Sequence, residues 1–281
     1  MEPLQPNQVL LLQDLIYAKC GIRLDDRKVT LLTSRVKRRL RATGIDDSDQ
    51  YLQLVTSRKG KIELTKLLDA ITTNETSFFR TESHFSWFKE SFLPEMIQAR
   101  ADQRRNATLR LWSAACANGA EPYSLSFCLH EVRHRLAGWD VEILATDLSE
   151  ASIEAARAGD YRGRIVESLT DANRKKYFDK KGNAESTFTV KSQFRSMIEF
   201  RIHNLMDRLS HRLVPFDCIF LRNVLIYFDD LSKRKVLANL LPSLAEGGYL
   251  IVGPSEGVYG MHQPLLKRST FLYQKEQTDV E

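Results

Sequence analysis

One arginine ends a short polar segment of this chain, residues 71–80, which reads ITTNETSFFR. Small polar side chains come first, then an aromatic pair and the arginine: Thr72, Thr73, Asn74, Thr76 and Ser77, followed by Phe78, Phe79 and Arg80. Apart from Glu75 and Arg80, the segment holds no usual acid, base or metal ligand. We expect the phenylalanines to pack and fix the loop. Residue types alone leave open whether Arg80 serves a site or a surface ion pair, and whether Asn74 and Thr76 are ordinary turn residues.

A second group of candidates lies where predicted strands end. The segment SAACANGAEPYS, residues 113–124, ends the first apolar run, and ATD ends the next at Asp147. Ligands of open α/β sheets bind at the carboxyl ends of the strands. The small residues allow close approach to a ligand, and the dinucleotide pattern GxGxxG is absent. An acid at the second strand end commonly binds ribose hydroxyls, which suggests an adenosine-type cofactor without phosphates. As an alternative, Asp147 caps the following helix.

Short apolar runs alternate with helical stretches from Leu109 onward. The predicted strands cover residues 109–116, 141–149, 216–223 and 249–255. Buried strands alternating with helices indicate a mostly parallel, doubly wound sheet. Residues 177–205 instead alternate polar and apolar types without a helix between them. This pattern predicts a small antiparallel hairpin, in which Phe188 and Val190 lie opposite Ile198 and Phe200.

Residues 1–70 show helical periodicity and predict a small helical bundle. One of its helices, RVKRRLRATG, is strongly basic, with the apolar Val36 and Leu40 facing inward. Its cations are Arg35, Lys37, Arg38, Arg39 and Arg41. The helix is either a docking surface for an acidic partner or a solvated face.

Composition limits the class of protein. The chain has 281 residues, of which 43% are hydrophobic and 27% charged, as in soluble globular proteins. A net charge of +5 is too small to indicate nucleic acid. The four cysteines form no CxxC pair, so we expect neither a metal site nor a disulfide framework. The start lacks the basic region of a signal peptide, and no apolar run approaches the ~20 residues that span a bilayer. We therefore expect a cytoplasmic protein.

The motifs together resemble one family, the CheR-type chemoreceptor glutamate O-methyltransferases. The resemblance is carried by NETSFFR, SAACANGAEPYSL, the ATD strand end, a strand running into HNL, and FDCIFLRNVLIYFD, and it covers nearly the whole chain. It implies a class I S-adenosylmethionine-dependent methyltransferase domain of Rossmann-like α/β fold, with a small antiparallel β subdomain. The expected boundaries are 1–80 for an all-α, receptor-docking domain and 81–281 for the methyltransferase domain, with the β subdomain at about 178–200.

The resemblance also implies roles for individual residues. Arg80 and Tyr227 correspond to catalytic positions, with Tyr227 beside the transferred methyl group. The implied cofactor-binding residues are Asn74, Thr76, Arg80, Glu121, Asp147, Asn204, Leu205, Leu221, Arg222 and Asn223. Asp147 takes the ribose hydroxyls, and Asn204 and Leu205 flank the adenine. One departure is visible: the family usually has an acid where this chain has Ala120.

The implied reaction explains why an arginine, Arg80, is needed in the site. The substrate is a glutamate on a cytoplasmic coiled coil of a chemoreceptor, and a carboxylate with a reference pKa of about 4.3 is already ionised near neutral pH. The nucleophile needs no general base, but it must be desolvated and aligned with the methyl donor. A guanidinium is suited to that because its planar fork holds a carboxylate through two hydrogen bonds. The products are the methyl ester and S-adenosylhomocysteine.

Two other functions remain as alternatives. A nucleic-acid methyltransferase commonly carries an NPPY-like loop where this chain reads RNVLIYFD, without proline. A non-catalytic S-adenosylmethionine-binding regulator would have no need of Arg80 and Tyr227. We expect a monomer that neither binds nucleic acid nor inserts into a membrane. We also expect receptor recognition to use the basic helix and the cleft, more than capture of a receptor C-terminal peptide by the β subdomain.

Overall fold

The computed structural model describes residues 4–25, 28–72, 74–182, 187–209, 215–258, 260–261 and 265–277. Its first part consists of helices α1 (Pro6–Cys20), α2 (Val29–Thr43), α3 (Ser48–Thr56) and α4 (Lys61–Ile71). Apolar residues at helical spacing face a shared interior, including Leu12, Ile16, Val36 and Leu40, none of them more than 1% exposed. The predicted helical bundle is thus confirmed, with Val36 and Leu40 inside as expected.

A long helical stretch connects this bundle to the sheet. It comprises α5 (Glu82–Trp87), a π-helical turn (Phe88–Phe92) and α6 (Leu93–Ala101). Phe85, Phe88 and Phe92 project into the core beneath the sheet and are at most 2% exposed. The aromatic packing fixes the direction in which the chain enters the first strand.

Seven strands form the central sheet, in the order β6-β2-β1-β7-β8-β10-β9. They are β1 (Thr108–Ala114), β2 (Asp140–Asp147), β6 (Ile198–Ile202), β7 (Phe216–Leu221), β8 (Leu244–Val252), β9 (Leu265–Lys267) and β10 (Leu272–Lys275). Strands β6, β2, β1, β7 and β8 are parallel, and β10 is antiparallel to both of its neighbours. The longer helices between strands are α7 (Ala120–Glu131), α8 (Glu150–Ala158) and α11 (Asp230–Leu240). This is the predicted Rossmann-like methyltransferase fold.

Strand β8 begins earlier than the sequence indicated. The prediction placed it at residues 249–255, but it starts at Leu244 and includes two glycines. Gly247 has a φ of 73°, and the β7–β8 register shifts between Phe216 and Cys218. The irregularity lets a glycine-containing segment pair with β7, although glycine normally weakens a strand.

The predicted hairpin is wrong in its pairing. A separate three-stranded antiparallel sheet exists, but its members are β3 (Asp160–Tyr161), β5 (Thr187–Val190) and β4 (Phe178–Lys181), in that order. Helices α9 (Arg164–Glu167) and α10 (Asp171–Tyr177) lie between β3 and β4 in the chain. The segment that contains Ile198 and Phe200 is β6, which pairs in parallel with β2. Alternation alone could not distinguish these partners, because both sheets bury one face of the strand. The β4–β5 connection lies partly outside the described residues.

The helical bundle contacts the sheet domain directly. Ile22 forms an antiparallel bridge with Phe228, and the N–H of Arg23 donates to the carbonyl of Tyr227 at 3.0 Å. The Asn204 amide donates to the carbonyl of Lys19 at 2.7 Å. These links hold the end of α1 and the segment after it against the carboxyl edge of the parallel strands.

Candidate active site

A cleft lies at the carboxyl ends of β1, β2 and β7. All but one of the residues proposed for catalysis or cofactor binding line it: Asn74, Thr76, Arg80, Glu121, Asp147, Asn204, Leu205, Arg222, Asn223 and Tyr227. Leu221 is the exception, because its side chain is fully buried at the end of β7. The topology thus gathers residues from five separate regions of the sequence into one site.

The loop before Arg80 is anchored by the aromatic pair. The ring centroid of Phe78 lies 4.8 Å from that of Tyr161 and 5.2 Å from that of Phe178. Phe79, in a positive-φ conformation of 53°, donates its main-chain N–H to Ser124 Oγ at 2.9 Å. These contacts hold a backbone conformation that a non-glycine residue rarely adopts. The expectation that the phenylalanines fix the loop is confirmed.

Arg80 is half-buried and faces the cleft. Its Nη1 donates to the carbonyl oxygen of Glu75 at 3.0 Å, which ties the guanidinium to its own loop. Within the described ranges, no carboxylate lies within salt-bridge distance of it. The surface ion-pair interpretation therefore lacks a partner in this part of the chain, and the guanidinium is available to an anionic ligand.

A buried ion pair lies beneath Arg80. Arg222 Nη1 donates to Glu121 Oε2 at 2.8 Å, and the two side chains are 2% and 12% exposed. Glu121 Oε1 accepts from Ser113 Oγ at 2.7 Å, and Arg222 Nη2 donates to the carbonyl of Arg80. Burial raises the pKa of Glu121, and the charge of Arg222 opposes that shift. The pair thus connects β7 and α7 to the loop that carries Arg80.

His84 is buried next to this ion pair. It is 1% exposed, its ring stacks on Phe271 at a centroid distance of 4.1 Å, and its Nδ1 has no hydrogen-bond partner in the described structure. Burial, with the charge of Arg222 adding to it, lowers the pKa of His84 to about 4. The imidazole is therefore neutral near pH 7.

We expect this imidazole to make the protein less stable in mild acid. Below the unfolded pKa of about 6.5, the unfolded chain binds a proton that the folded chain refuses until about pH 4. His84 should therefore cost about 2 kcal/mol of unfolding free energy between pH 7.5 and pH 5. Urea unfolding of wild type and His84→Phe at both pH values measures this. An equal pH dependence in the two proteins would contradict it.

Asp147 lies at the end of β2, 7% exposed. Its Oδ2 accepts from the main-chain N–H of Ala117 at 2.8 Å, and its Oδ1 accepts from that of Ser149 at 2.9 Å. The N-cap of α8 is Ser149, whose side chain accepts from the N–H of Ser152. The capping alternative for Asp147 is therefore wrong. Burial raises the pKa of Asp147, while the hydrogen bonds from Ser149 and Ala117 oppose that shift.

The hydrogen-bond acceptors and the open space beside Asp147 suit a ribose. A carboxylate accepts about four hydrogen bonds, so Asp147 keeps acceptor capacity toward the cleft. The β1–α7 loop adopts positive φ at Ala115 (66°), Ala117 (47°) and Gly119 (88°). A Cβ at Gly119 would lie 2.8 Å from that of Ala156. The loop is thus compact, made of small residues, and open to a ligand.

Tyr227 ends a 3-10 turn, Leu225–Tyr227, and also lines the cleft. The Lys28 ammonium lies 5.5 Å from its ring centroid. Asn223, just before the turn, has a φ of 58°. Asn204, predicted to contact a cofactor, uses its amide for Lys19 and accepts from the N–H of Met206 at 3.1 Å, so its side chain links the helical bundle to the sheet.

The sequence analysis missed one wall of the cleft. The end of α1, the segment after it and the start of α2 contribute Cys20, Ile22, Leu24, Lys28 and Leu31, and His203 adds a half-buried imidazole. Burial lowers the pKa of His203, and the nearby Asp207 opposes that shift. No spacing in the sequence links residues 20–31 to strand ends more than eighty positions later, so this wall had no local signal.

The basic helix α2 does not present all its cations to solvent. Arg39 forms a two-bond ion pair with Glu63, with Nε–Oε1 at 2.8 Å and Nη2–Oε2 at 2.7 Å. Glu63 also accepts from the Tyr51 hydroxyl at 2.9 Å. Arg38 and Arg41 are exposed, whereas Arg35 and Lys37 are half-buried. Arg39 is therefore a structural residue of the bundle, and Arg38 and Arg41 carry the accessible charge.

Across the described ranges, no group of His, Cys, Asp and Glu side chains forms a metal-binding cluster. In the same part of the chain, no helix combines the length and apolarity needed to cross a bilayer.

Comparison with known proteins agrees with this geometry. The family model described as CheR methyltransferase, SAM binding domain, matches residues 74–271, and that of the CheR all-alpha domain matches residues 8–72. Chemotaxis protein methyltransferase 1 of Pseudomonas aeruginosa is 40% identical over 243 residues, which cover 85% of this chain and 86% of that protein. The chemotaxis protein methyltransferase of Salmonella typhimurium is 33% identical over 280 residues, or 96% and 93% of the two chains.

Proposed function

This chain belongs to the CheR methyltransferase family, and we propose that it esterifies glutamate side chains on the cytoplasmic helices of chemoreceptors. The cofactor is S-adenosylmethionine. The observation that best supports a carboxylate substrate is the loop geometry: an anchored aromatic pair presents Arg80 to the cleft, which Tyr227 also lines. The names of the relatives support a receptor of chemotaxis as the acceptor.

Each residue of the cleft has a separate role in the proposed reaction. Asp147 accepts hydrogen bonds from the ribose hydroxyls, and the small residues of the β1–α7 loop allow the adenosine to approach. When bound, S-adenosylmethionine supplies an activated methyl group on a sulfonium. Arg80 holds the substrate carboxylate in position, and Tyr227 shields the reacting atoms from water. The carboxylate is already ionised, so the reaction needs no general base.

Pairing with Arg80 also weakens the carboxylate as a nucleophile, so the benefit of the arginine is orientation. Once the ester forms, its neutral carbonyl loses the charge-assisted hydrogen bonds. The loss of these bonds favours departure of the modified side chain. A guanidinium has donor groups only and no acceptor, so Arg80 serves to hold the carboxylate.

A methyl-transfer assay tests the proposal. Labelled S-adenosylmethionine is offered with a glutamate-rich receptor fragment, with the same fragment carrying glutamine at the acceptor positions, with tRNA and with DNA. We expect base-labile label, as a methyl ester gives, in the glutamate fragment alone. Label in nucleic acid would contradict the proposal, and cofactor binding without any transfer would favour a non-catalytic regulator.

Removing the Asp147 carboxylate should weaken cofactor binding. Asp147→Ala leaves the ribose hydroxyls without their charged acceptor, and hydrogen bonds to a charged group contribute about 1–3 kcal/mol. Calorimetric titration with S-adenosylmethionine and with S-adenosylhomocysteine should show both affinities reduced about 5- to 150-fold. Unchanged affinity for both would remove Asp147 from the site. Asp140→Ala, at the exposed start of β2, is the matched control.

We further propose that the exposed cations of α2 bind the acidic receptor helix. A glutamate-rich coiled coil is attracted by basic side chains, which raise the association rate. Because Arg39 is paired with Glu63, a charge-reversal test of the helix uses Arg38 and Arg41. The double variant Arg38→Glu/Arg41→Glu should lower receptor methylation about tenfold at low salt and leave cofactor affinity unchanged.

Two outcomes would contradict that docking proposal. One is receptor methylation that is as fast in the double variant as in Arg133→Glu/Arg135→Glu, whose side chains are exposed after α7. The other is tight binding of an isolated receptor C-terminal peptide, which would assign recognition to the β3-β5-β4 sheet.

A further inference from the structure

A buried carboxylate stands behind the wall of the cleft, on a loop that the sequence motifs do not include. Glu256 is 3% exposed. Its Oε2 accepts from the main-chain N–H groups of Asn223 at 2.5 Å and Gly253 at 2.8 Å, and its Oε1 accepts from that of Ile226 at 3.2 Å. One carboxylate therefore joins the segment after β8 to the turn after β7. Charge-assisted bonds of this kind are about twice as strong as neutral ones.

The backbone at Gly253 is shaped to receive this carboxylate. A Cβ built on Gly253 would lie 2.3 Å from Glu256 Oε2 and 3.1 Å from the nitrogen of Asn223. Any side chain at position 253 would therefore push the carboxylate away from its donors. The absence of a Cβ there is a condition for the contact between Glu256 and the turn.

The turn that Glu256 holds carries residues of the cleft. Asn223 has a φ of 58°, a conformation that needs support in a non-glycine residue. Asn223, Val224 and Tyr227 line the cleft. The carboxylate contacts the main chain at both ends of this turn, at residues 223 and 226, so it determines where the ring of Tyr227 lies.

The charge of Glu256 also lies close to the cleft. Glu121, which lines the cleft, is paired with Arg222. Burial raises the pKa of Glu121, and the charge of Glu256 adds to that shift. Among the described residues at this edge of the sheet, the buried carboxylates Asp147 and Glu256 outnumber the buried cation Arg222. The cations Arg80 and Lys28, which also line the cleft, are half-buried. In a low-dielectric interior, an excess of negative charge favours a positively charged ligand and does little for a neutral one.

We propose that Glu256 is a positioning residue for methyl transfer: it fixes the turn that bears Tyr227, and its charge gives the cleft a preference for the cationic methyl donor over the neutral product. This inference rests on the proposed function, because that proposal places the sulfonium beside Tyr227. According to this proposal, Glu256 determines the shape of the cleft wall at which the methyl group is transferred. Its charge also helps fresh cofactor to replace the product.

Two ligands separate the effect of charge from that of shape. Sinefungin carries an ammonium group in place of the sulfonium methyl, and S-adenosylhomocysteine is neutral there. In Glu256→Gln, calorimetry should show the affinity for sinefungin falling about 3- to 10-fold more than the affinity for S-adenosylhomocysteine. Equal losses for both ligands would overturn the electrostatic part. Glu90→Gln, which removes an exposed carboxylate on the π-helical turn, is the control and should leave both affinities unchanged.

Two further variants test the positioning part. Glu256→Asp keeps the charge but cannot reach all three N–H groups, so it should retain the preference for sinefungin while receptor methylation falls about tenfold or more. Gly253→Ala displaces the carboxylate without removing it and should show the same loss of turnover. Wild-type turnover in both would overturn the positioning role. If wild-type protein binds both ligands but methylates no receptor, the proposed function fails while the ligand preference is still measurable.

Discussion

Receptor methylation should fall about 100- to 1000-fold in Arg80→Lys, while the affinity for S-adenosylmethionine changes less than about threefold. Lysine keeps the positive charge but cannot grip a carboxylate through two parallel hydrogen bonds. It also loses the Nη1 contact to the Glu75 carbonyl that aims the guanidinium. Single-turnover kinetics on a methyl-accepting receptor fragment, combined with calorimetric titration of the cofactor, measure both quantities.

The control for this substitution is Arg104→Lys. Arg104 is exposed and pairs with the neighbouring Asp102, so the same chemical change there should leave turnover unaltered. Wild-type turnover in Arg80→Lys would be incompatible with a carboxylate-orienting role. Equal losses of turnover and cofactor affinity would instead place Arg80 at the cofactor.

The largest effect on stability is expected from Arg222→Met. The substitution leaves Glu121 buried without its cation, and breaking a buried pair on one side costs about 3–5 kcal/mol. It also removes the hydrogen bond from Arg222 to the carbonyl of Arg80. Urea unfolding in the absence of cofactor measures the change in unfolding free energy.

The double variant Arg222→Met/Glu121→Gln tests the cause. Removing the orphaned charge should restore part of the lost unfolding free energy, because the two substitutions share one interaction. The pair of the exposed Arg23 and the half-buried Asp229 provides the comparison, and Arg23→Ala should cost at most about 1 kcal/mol. If Arg222→Met is as mild as Arg23→Ala, the buried pair does not hold this part of the fold together.

The sequence was sufficient for the fold and for most of the cleft. Strands β1, β2 and β7 are largely apolar, and a parallel sheet brings their ends to one edge, so Asp147 could be placed at that edge in advance. Glu121 and Arg222 were predicted there from the family resemblance. The fold class and the cofactor are confirmed by the family match. The domain boundaries, and the roles of Arg80 and Tyr227, stay predictions.

What the sequence did not show depends on contacts between distant segments. The sequence does not distinguish Arg39 from the other cations of α2, because its partner Glu63 lies on a different helix, α4. The strand Ile198–Ile202 alternates in the same way whether it joins β2 or β5. Glu256 resembles a loop acid, and its burial follows only from the close approach of Gly253 and Asn223.

The bridge between Ile22 and Phe228 has a thermodynamic consequence. Because the cleft is built from both the helical bundle and the sheet domain, a ligand that contacts both walls must favour their closed arrangement over any separated one. Linkage is reciprocal: the factor by which a bound ligand favours the closed arrangement equals the factor by which the closed arrangement binds that ligand more tightly. The Arg23 N–H, which donates to the Tyr227 carbonyl, becomes a natural reporter: its hydrogen exchange with solvent should slow as the cleft fills.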